Sequence, residues 1–253
     1  SYDIFVRDMT LNKTYRVSVG AGGQQALGAN PLAAGNADST NPNISDDGRY
    51  ITFTSVATNL VPGDSNAVSD VFEWTRATGA VTRAQRGTLQ PNGRSGGRNL
   101  VDAAAPAISA DGRYVAFETD ASNVAAADTN LLTDVIRWDR DTNTTRRAVG
   151  ATGQQLVGAA TRPSMSDDGA RVAFDETTTT GRKHRIWSPD ANASSAPVEG
   201  VAPKISGDGQ FLSSVTPGGI VLTTLDGTSE TLLDRLPAFV TSAPAVGGRY
   251  LAV

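Results

Sequence analysis

The chain has 253 residues, 39% of them apolar, and a formal charge of −4, enough apolar content for a core and no basic block to track a phosphate backbone. Nucleic acid is therefore not an expected partner. With no cysteine, disulfides, thiolate metal sites and cysteine nucleophiles are excluded. No apolar run reaches the roughly 18 residues of a membrane-spanning helix.

Generous glycine and proline, with abundant Thr, Val, Asp and Asn, point to many short strands joined by tight turns. The first predicted strand, Asp3-Ile4-Phe5-Val6-Arg7, begins almost at Ser1, which fits a processed protein or an ordered piece of a longer one. Tyr15 to Val19 is a second strand, and the polar Gly22-Gly23-Gln24-Gln25 leads into a connection.

Pro42-Asn43-Ile44-Ser45-Asp46-Asp47-Gly48-Arg49-Tyr50-Ile51-Thr52-Phe53 then predicts a hairpin. Proline suits the first residue of a strand, where no ladder donor is needed. In Ser-x-Asp-Gly, Asp caps the turn and Gly takes a positive φ. The hairpin recurs almost unchanged from Pro106 to Phe117, as Pro163 to Phe174 and Pro203 to Leu212, and in shortened form from Pro244 to Leu251. A second hairpin follows each full copy. Its first strand is Asp70-Val71-Phe72-Glu73-Trp74, Asp134-Val135-Ile136-Arg137-Trp138 or, more weakly, His184-Arg185-Ile186-Trp187 and Gly219-Ile220-Val221-Leu222. Thr78-Gly79, Asp141-Thr142-Asn143 and Asp226-Gly227 make the turns, and Val81 to Ala84 and Thr145 to Val149 are last strands. Four antiparallel strands per repeat of at least 40 residues describe a propeller blade.

On these residues the repeat resembles the PD40 or TolB-like propeller repeat, a relative of WD40 repeats. The segment Thr54-Ser55-Val56-Ala57-Thr58-Asn59-Leu60-Val61-Pro62-Gly63-Asp64-Ser65-Asn66 resembles a long-loop version common in secreted bacterial proteins. The expected fold is all-β: a five-bladed β-propeller of four-stranded antiparallel blades forming a single domain over 1–253. The blades fall near 42–86, 106–149, 163–199 and 203–234, with 244–253 and 1–19 sharing the fifth between the two chain ends, which would leave no open edge. The alternative is a section of a larger propeller.

Asp64-x-Asn66-x-x-x-Asp70 and Asp128-x-Asn130-x-x-x-Asp134 offer three oxygen side chains at one spacing. They suit Ca²⁺, the one cofactor to weigh, but Asx turns with the last Asp capping its strand are the better reading. Asp47, Asp111, Asp168 and Asp208 occupy equivalent turns and are expected to be structural. Their turn is similar to the sialidase Asp box but lacks the Gly-x-Thr-Trp continuation. His184, the sole histidine, stands at the expected start of a third strand with no Gly-x-Ser-x-Gly elbow to serve. Trp74, Trp138 and Trp187 recur at equivalent positions and are expected between blades rather than on a carbohydrate platform. Arg94-Ser95-Gly96-Gly97-Arg98 is either an anion-contacting loop or a solvated one, and Gly153-Gln154-Gln155 repeats the earlier polar linker.

No catalytic constellation emerges. The expectation is a non-catalytic scaffold or protein-interaction module with a protein partner, in an envelope or surface assembly, located outside the cell, on its surface or in the periplasm. The alternatives are the propeller domain of a larger hydrolase or lyase that binds peptide or glycan, and a calcium-dependent glycan binder.

Overall fold

The computed structural model describes residues 1–29, 37–84, 91–95, 106–125, 128–225, 229–234, 243–244 and 251–252. Apart from one short 3-10 turn, its elements are strands. β1 (Phe5–Asp8) and β2 (Lys13–Arg16) form a hairpin. β3 (Ser39–Ile44), β4 (Tyr50–Ser55), β5 (Asp70–Thr75) and β6 (Ala80–Arg83) form the first four-stranded sheet. The second holds β7 (Ala107–Ile108), β8 (Tyr114–Thr119), β9 (Asp134–Asp139) and β10 (Thr144–Arg147). The third holds β11 (Ala160–Met165), β12 (Val172–Thr178) and β13 (Gly181–Ser188), with β14 (Ala193–Ser194) and β15 (Val198–Glu199) both pairing β13 as a divided fourth strand. The fourth holds β16 (Val201–Ile205), β17 (Phe211–Thr216), β18 (Gly219–Thr224) and β19 (Ser229–Asp234). β20 (Ala243–Pro244) and β21 (Leu251–Ala252) close the chain as a second hairpin.

Every sheet is an antiparallel meander, so each repeat folds locally, as its sequence demands. Apolar residues of adjacent sheets meet between the sheets. Ile4 and Val17 of the N-terminal hairpin pack with Phe53, Phe72 and Trp74; Val71 and Ala84 pack with Phe117 and Trp138. Val135 and Ala148 pack with Phe174 and Trp187, and Ala173 with Ile205 and Leu212. The three tryptophans therefore lie between blades as expected, all buried. Each ring of this size contributes roughly 1.5–3 kcal/mol when withdrawn from water.

First strands of successive sheets touch one another, β3 against β7, β7 against β11 and β11 against β16. They are the inner strands, and later strands of each sheet lie progressively outward. This is the radial arrangement of a propeller. The two ends, expected to share a fifth blade, form two separate two-stranded sheets, β1–β2 and β20–β21. Residues 245–250 and the Asp226-Gly227 turn lie outside the described residues, as do Gly96, Gly97 and Arg98.

Candidate functional site

Each inner strand has two ends, and they differ in chemistry. At the end that turns into the second strand, the four Ser-x-Asp-Gly segments are built alike. Gly48, Gly112, Gly169 and Gly209 have φ of 66, 73, 68 and 68. The serine hydroxyl donates to the Asp two residues on, from Ser45 to Asp47 at 2.8 Å, Ser109 to Asp111 at 2.7 Å, and Ser166 to Asp168 and Ser206 to Asp208 at 2.6 Å. The same hydroxyls accept the N–H of Tyr50, Tyr114, Arg171 and Phe211. The acid accepts a second backbone N–H, from Arg49, Arg113, Ala170 and Gln210. Although burial works to raise them, these hydrogen bonds hold Asp47 and Asp111 below the ordinary carboxylate value. Turns of adjacent sheets are then joined: Asp46 N–H donates to Ala110 O at 3.0 Å, Ala110 N–H to Asp167 O and Asp167 N–H to Gly207 O at 2.8 Å. The repeated carboxylates are structural.

The two Asp-x-Asn loops do gather their residues, around a charge supplied by the chain itself. Arg147 lies 3.5 Å from Asp134 and 3.9 Å from Asp128, while Asn130 donates to Leu156 O and Gln155 to Asp128. Arg83 lies 3.5 Å from Asp70, which also receives the Asn66 amide at 3.4 Å. Burial, with Asp64 beside it, pushes Asp70 from 3.8 to about 7 despite Arg83. Burial likewise pushes Asp134 to about 6 despite Arg147. One oxygen of each, Oδ1, has no hydrogen-bond partner among the described residues. Asp3, the third equivalent, receives Ser18 and Gln25 and lies 4.0 Å from Arg16. Sequence reasoning missed these arginines and Gln155, although Arg16, Arg83 and Arg147 recur at one spacing after the acids. Among the described residues, no three His, Cys, Asp or Glu side chains converge as a metal site requires.

The other end of the inner strands varies from blade to blade. Register shifts interrupt β3, β11 and β16 at the residue before proline, and Asn41, Arg162 and Ala202 there have φ of 56, 57 and 53. Left-handed backbone costs a non-glycine residue roughly 1–2 kcal/mol. A carboxylate on the preceding sheet pins two of these bulges: Glu118 accepts Arg162 N–H at 2.8 Å, and Asp175 accepts Ala202 N–H at 3.0 Å. Asp175 is fully buried and raised to about 6 by that burial, against Ala202 N–H, Arg182 and Arg162. Arg162 reaches to 3.6 Å from Asp175 with its side chain 39% exposed. Burial lowers Lys204, with Arg162 adding to it. Glu118, Arg162, Asp175 and Lys204 form a mixed-charge patch from three sheets. The sequence signal for it was the acid after Phe117 and Phe174.

His184 departs from its expected place. β12 extends to Thr178 and β13 starts at Gly181, so His184 lies inside the strand, 3% exposed, rather than at its edge. Burial lowers its pKa. Arg94 sits on Asp120 through its backbone N–H, and Ser95 bridges to Thr119, so the start of that insertion is anchored to the second sheet.

No family model matches the sequence, and no curated protein matches it either. Solved structures do. TolB from Acinetobacter baumannii aligns over 98% of this chain and 53% of its own, with 13% identity and a TM-score of 0.54. The β-propeller domain of the Trilobed protease from Pyrococcus furiosus, described as having an open velcro topology, covers 79% of this chain and 58% of its own, at 12% identity and a TM-score of 0.52. Dipeptidyl peptidase 4 from Porphyromonas gingivalis covers 95% of this chain and 37% of its own, at 13% identity and a TM-score of 0.54. The chain thus spans about half the length of the TolB structure and of the protease propeller. At these identities the likeness speaks for architecture, and it agrees with the sheets, their order and their packing: the chain has a β-propeller fold, like that of TolB and of these peptidase structures.

Proposed function

We propose that the chain is a non-catalytic interaction module of an exported or cell-envelope bacterial protein, and that it takes a protein partner at the bulged end of its inner strands. The observation that carries this reading is Arg162. Its backbone is held at a positive φ by a carboxylate of the neighbouring sheet, and its guanidinium is left part-exposed between Asp175 and Lys204. Strained residues held by their surroundings concentrate at binding sites. Groups with catalytic potential are used elsewhere: the repeated acids tie turns, and His184 is enclosed in a strand. No helix among the described residues is long and apolar enough to cross a membrane.

The test is capture from a solubilised envelope fraction of the source cells, identification of the retained protein, and measurement of its affinity. Arg162→Gln and Lys204→Gln are expected to weaken binding at least about tenfold, or 1.4 kcal/mol, with unchanged melting. Equal affinity in wild type and variants would move the binding face elsewhere. Binding of peptide or glycan by the purified chain, with no envelope protein retained, would favour the second reading, the propeller domain of a larger hydrolase or lyase, which the match to a fraction of the dipeptidyl peptidase chain keeps in view.

A further inference from the structure

β9 and β10 set two arginines directly against each other. Arg137 and Arg146 are opposed in the register of the second sheet, where the first sheet has Glu73 opposite Thr82 and the third has Ile186 beside Ser195. Like charges directly opposite on paired strands are destabilising. Blade folding does not ask for this pair.

The pair borders a cleft of about 440 Å³ between the second and third sheets. Arg137 forms its floor. Its side chain is 4% exposed, donates through Nη1 to Gly169 O at 2.7 Å, and lies 4.3 Å from the centre of the Tyr114 ring. These contacts hold the guanidinium in place, so its other nitrogen needs no reorganisation to meet an anion. Arg146 forms the rim, donating to Pro189 O at 2.6 Å with its side chain half exposed. Arg113 lies 4.8 Å from the same tyrosine ring and pairs with Asp139 at 2.8 Å. The hydroxyls of Thr142 and Thr144, 2.8 Å apart, continue the polar wall.

One carboxylate meets both opposed arginines. Asp190 Oδ1 lies 2.9 Å from Arg137 and 3.6 Å from Arg146, on the turn between β13 and β14, and the Asp190 side chain is 70% exposed. A carboxylate so open to water binds weakly to its partners, and another can take its seat. Three arginines face two aspartates in this cleft, although the chain as a whole carries a formal charge of −4. Arginine clusters of this kind recognise acidic motifs. Two observations favour a peptide over an acidic glycan. The seat already holds the carboxylate of a protein side chain, and the Tyr114 ring is engaged by Arg137 and Arg113 rather than open as a platform for a sugar.

We propose that this cleft binds an acidic segment of a protein, with an Asp or Glu carboxylate of the ligand replacing Asp190 on Arg137 and Arg146. Asp190 is an internal competitor that occupies the arginines until a ligand arrives. The site shares no residue with the patch around Arg162 and stands independently of it.

The test uses the full chain and fluorescein-labelled hexaglutamate, with binding read by fluorescence anisotropy. Saturable binding is expected, weakening as salt rises. Arg146→Gln should weaken it at least about tenfold. Asp190→Asn removes the competing charge but keeps an accepting oxygen, and should tighten binding about fivefold. Glu199→Gln makes the same change of net charge outside the cleft and should leave affinity as it was, as should Arg162→Gln. Because Asp190→Asn reads the site by a gain, a folding defect in Arg146→Gln cannot imitate the result. No saturable binding by wild type and Asp190→Asn, equal affinity in these two, or the same gain in Glu199→Gln would each overturn the proposal. Loss of binding in Arg162→Gln, or tighter binding of hexagalacturonate than of hexaglutamate, would overturn it as well.

Discussion

The two ends of the inner strands obey different rules. At the turn end, four segments repeat the same serine, aspartate and glycine, with hydrogen-bond lengths that agree within a few tenths of an ångström. At the bulge end, the backbone device repeats, but its side chains are Asn41, Arg162 and Ala202, and the pinning groups are Glu118 and Asp175. Repetition marks what every blade needs in order to fold and join its neighbour. Individual side chains on a common backbone device mark where one molecule can differ from another, and the partner is proposed there for that reason.

If this division is right, damage to the turn end costs stability and damage to the bulge end costs binding. The largest loss is expected from Gly169→Ala. Its φ of 68 is unfavourable for alanine, and the new Cβ would lie 2.3 Å from the Tyr114 ring. Strain and overpacking together predict about 2–5 kcal/mol, read by denaturant unfolding. Ser166→Ala comes next. It leaves the Arg171 N–H and one Asp168 oxygen without their buried hydroxyl, at about 1–3 kcal/mol. Arg162→Gln should change stability by less than about 1 kcal/mol, since its ion pair with Asp175 is part-exposed. A turn variant as harmless as Arg162→Gln would break the comparison.

The bonds inside each turn were legible in the sequence because the serine and aspartate find their partners within five residues, Ser45 with Asp47 and Tyr50, Ser166 with Asp168 and Arg171, whereas the bonds from Asp46 to Ala110 and from Asp167 to Gly207 that join the turns were not. The burial of Trp74, Trp138 and Trp187 followed from their recurrence. The bulge end was not legible, because its bonds join different blades. Glu118 and Arg162 are 44 positions apart, and Asp175 and Ala202 are 27 apart. No periodicity within one blade shows such a pair. The acidic loops were half legible: their acids are local, but the guanidinium facing Asp134 comes 13 residues later, from the adjoining strand. His184 was misplaced because strand ends depend on the Thr178–Gly181 turn, which carries no strong signal of its own.

Buried acids at both kinds of site give a smaller effect that pH can read. The native-state values of Asp70, Asp134 and Asp175 are about 7, 6 and 6, above the ordinary 3.8. Between about pH 4 and 7 the native chain then holds more protons than the unfolded one, so stability falls as pH rises through that window. Asp47, Asp111 and Asp139 are lowered and act in the opposite sense, losing their contribution only below about pH 4. The melting temperature is therefore expected to be higher near pH 5 than near pH 8. Asp175→Asn should flatten the slope, because the amide oxygen still accepts Ala202 N–H without carrying the buried charge. Parallel slopes for variant and wild type would show that the burial of Asp175 is not felt.

Calcium addresses the last repeated feature, where the expected effect is zero. Arg147 stands between Asp128 and Asp134, and Arg83 beside Asp70, so a divalent ion would have to displace a guanidinium from each loop. Melting should be the same in excess calcium and in EDTA. A calcium-dependent rise reversed by EDTA would instead make the Asp64–Asp70 and Asp128–Asp134 loops metal sites. It would also place them with the variable, ligand-bearing parts of the molecule rather than with its turns.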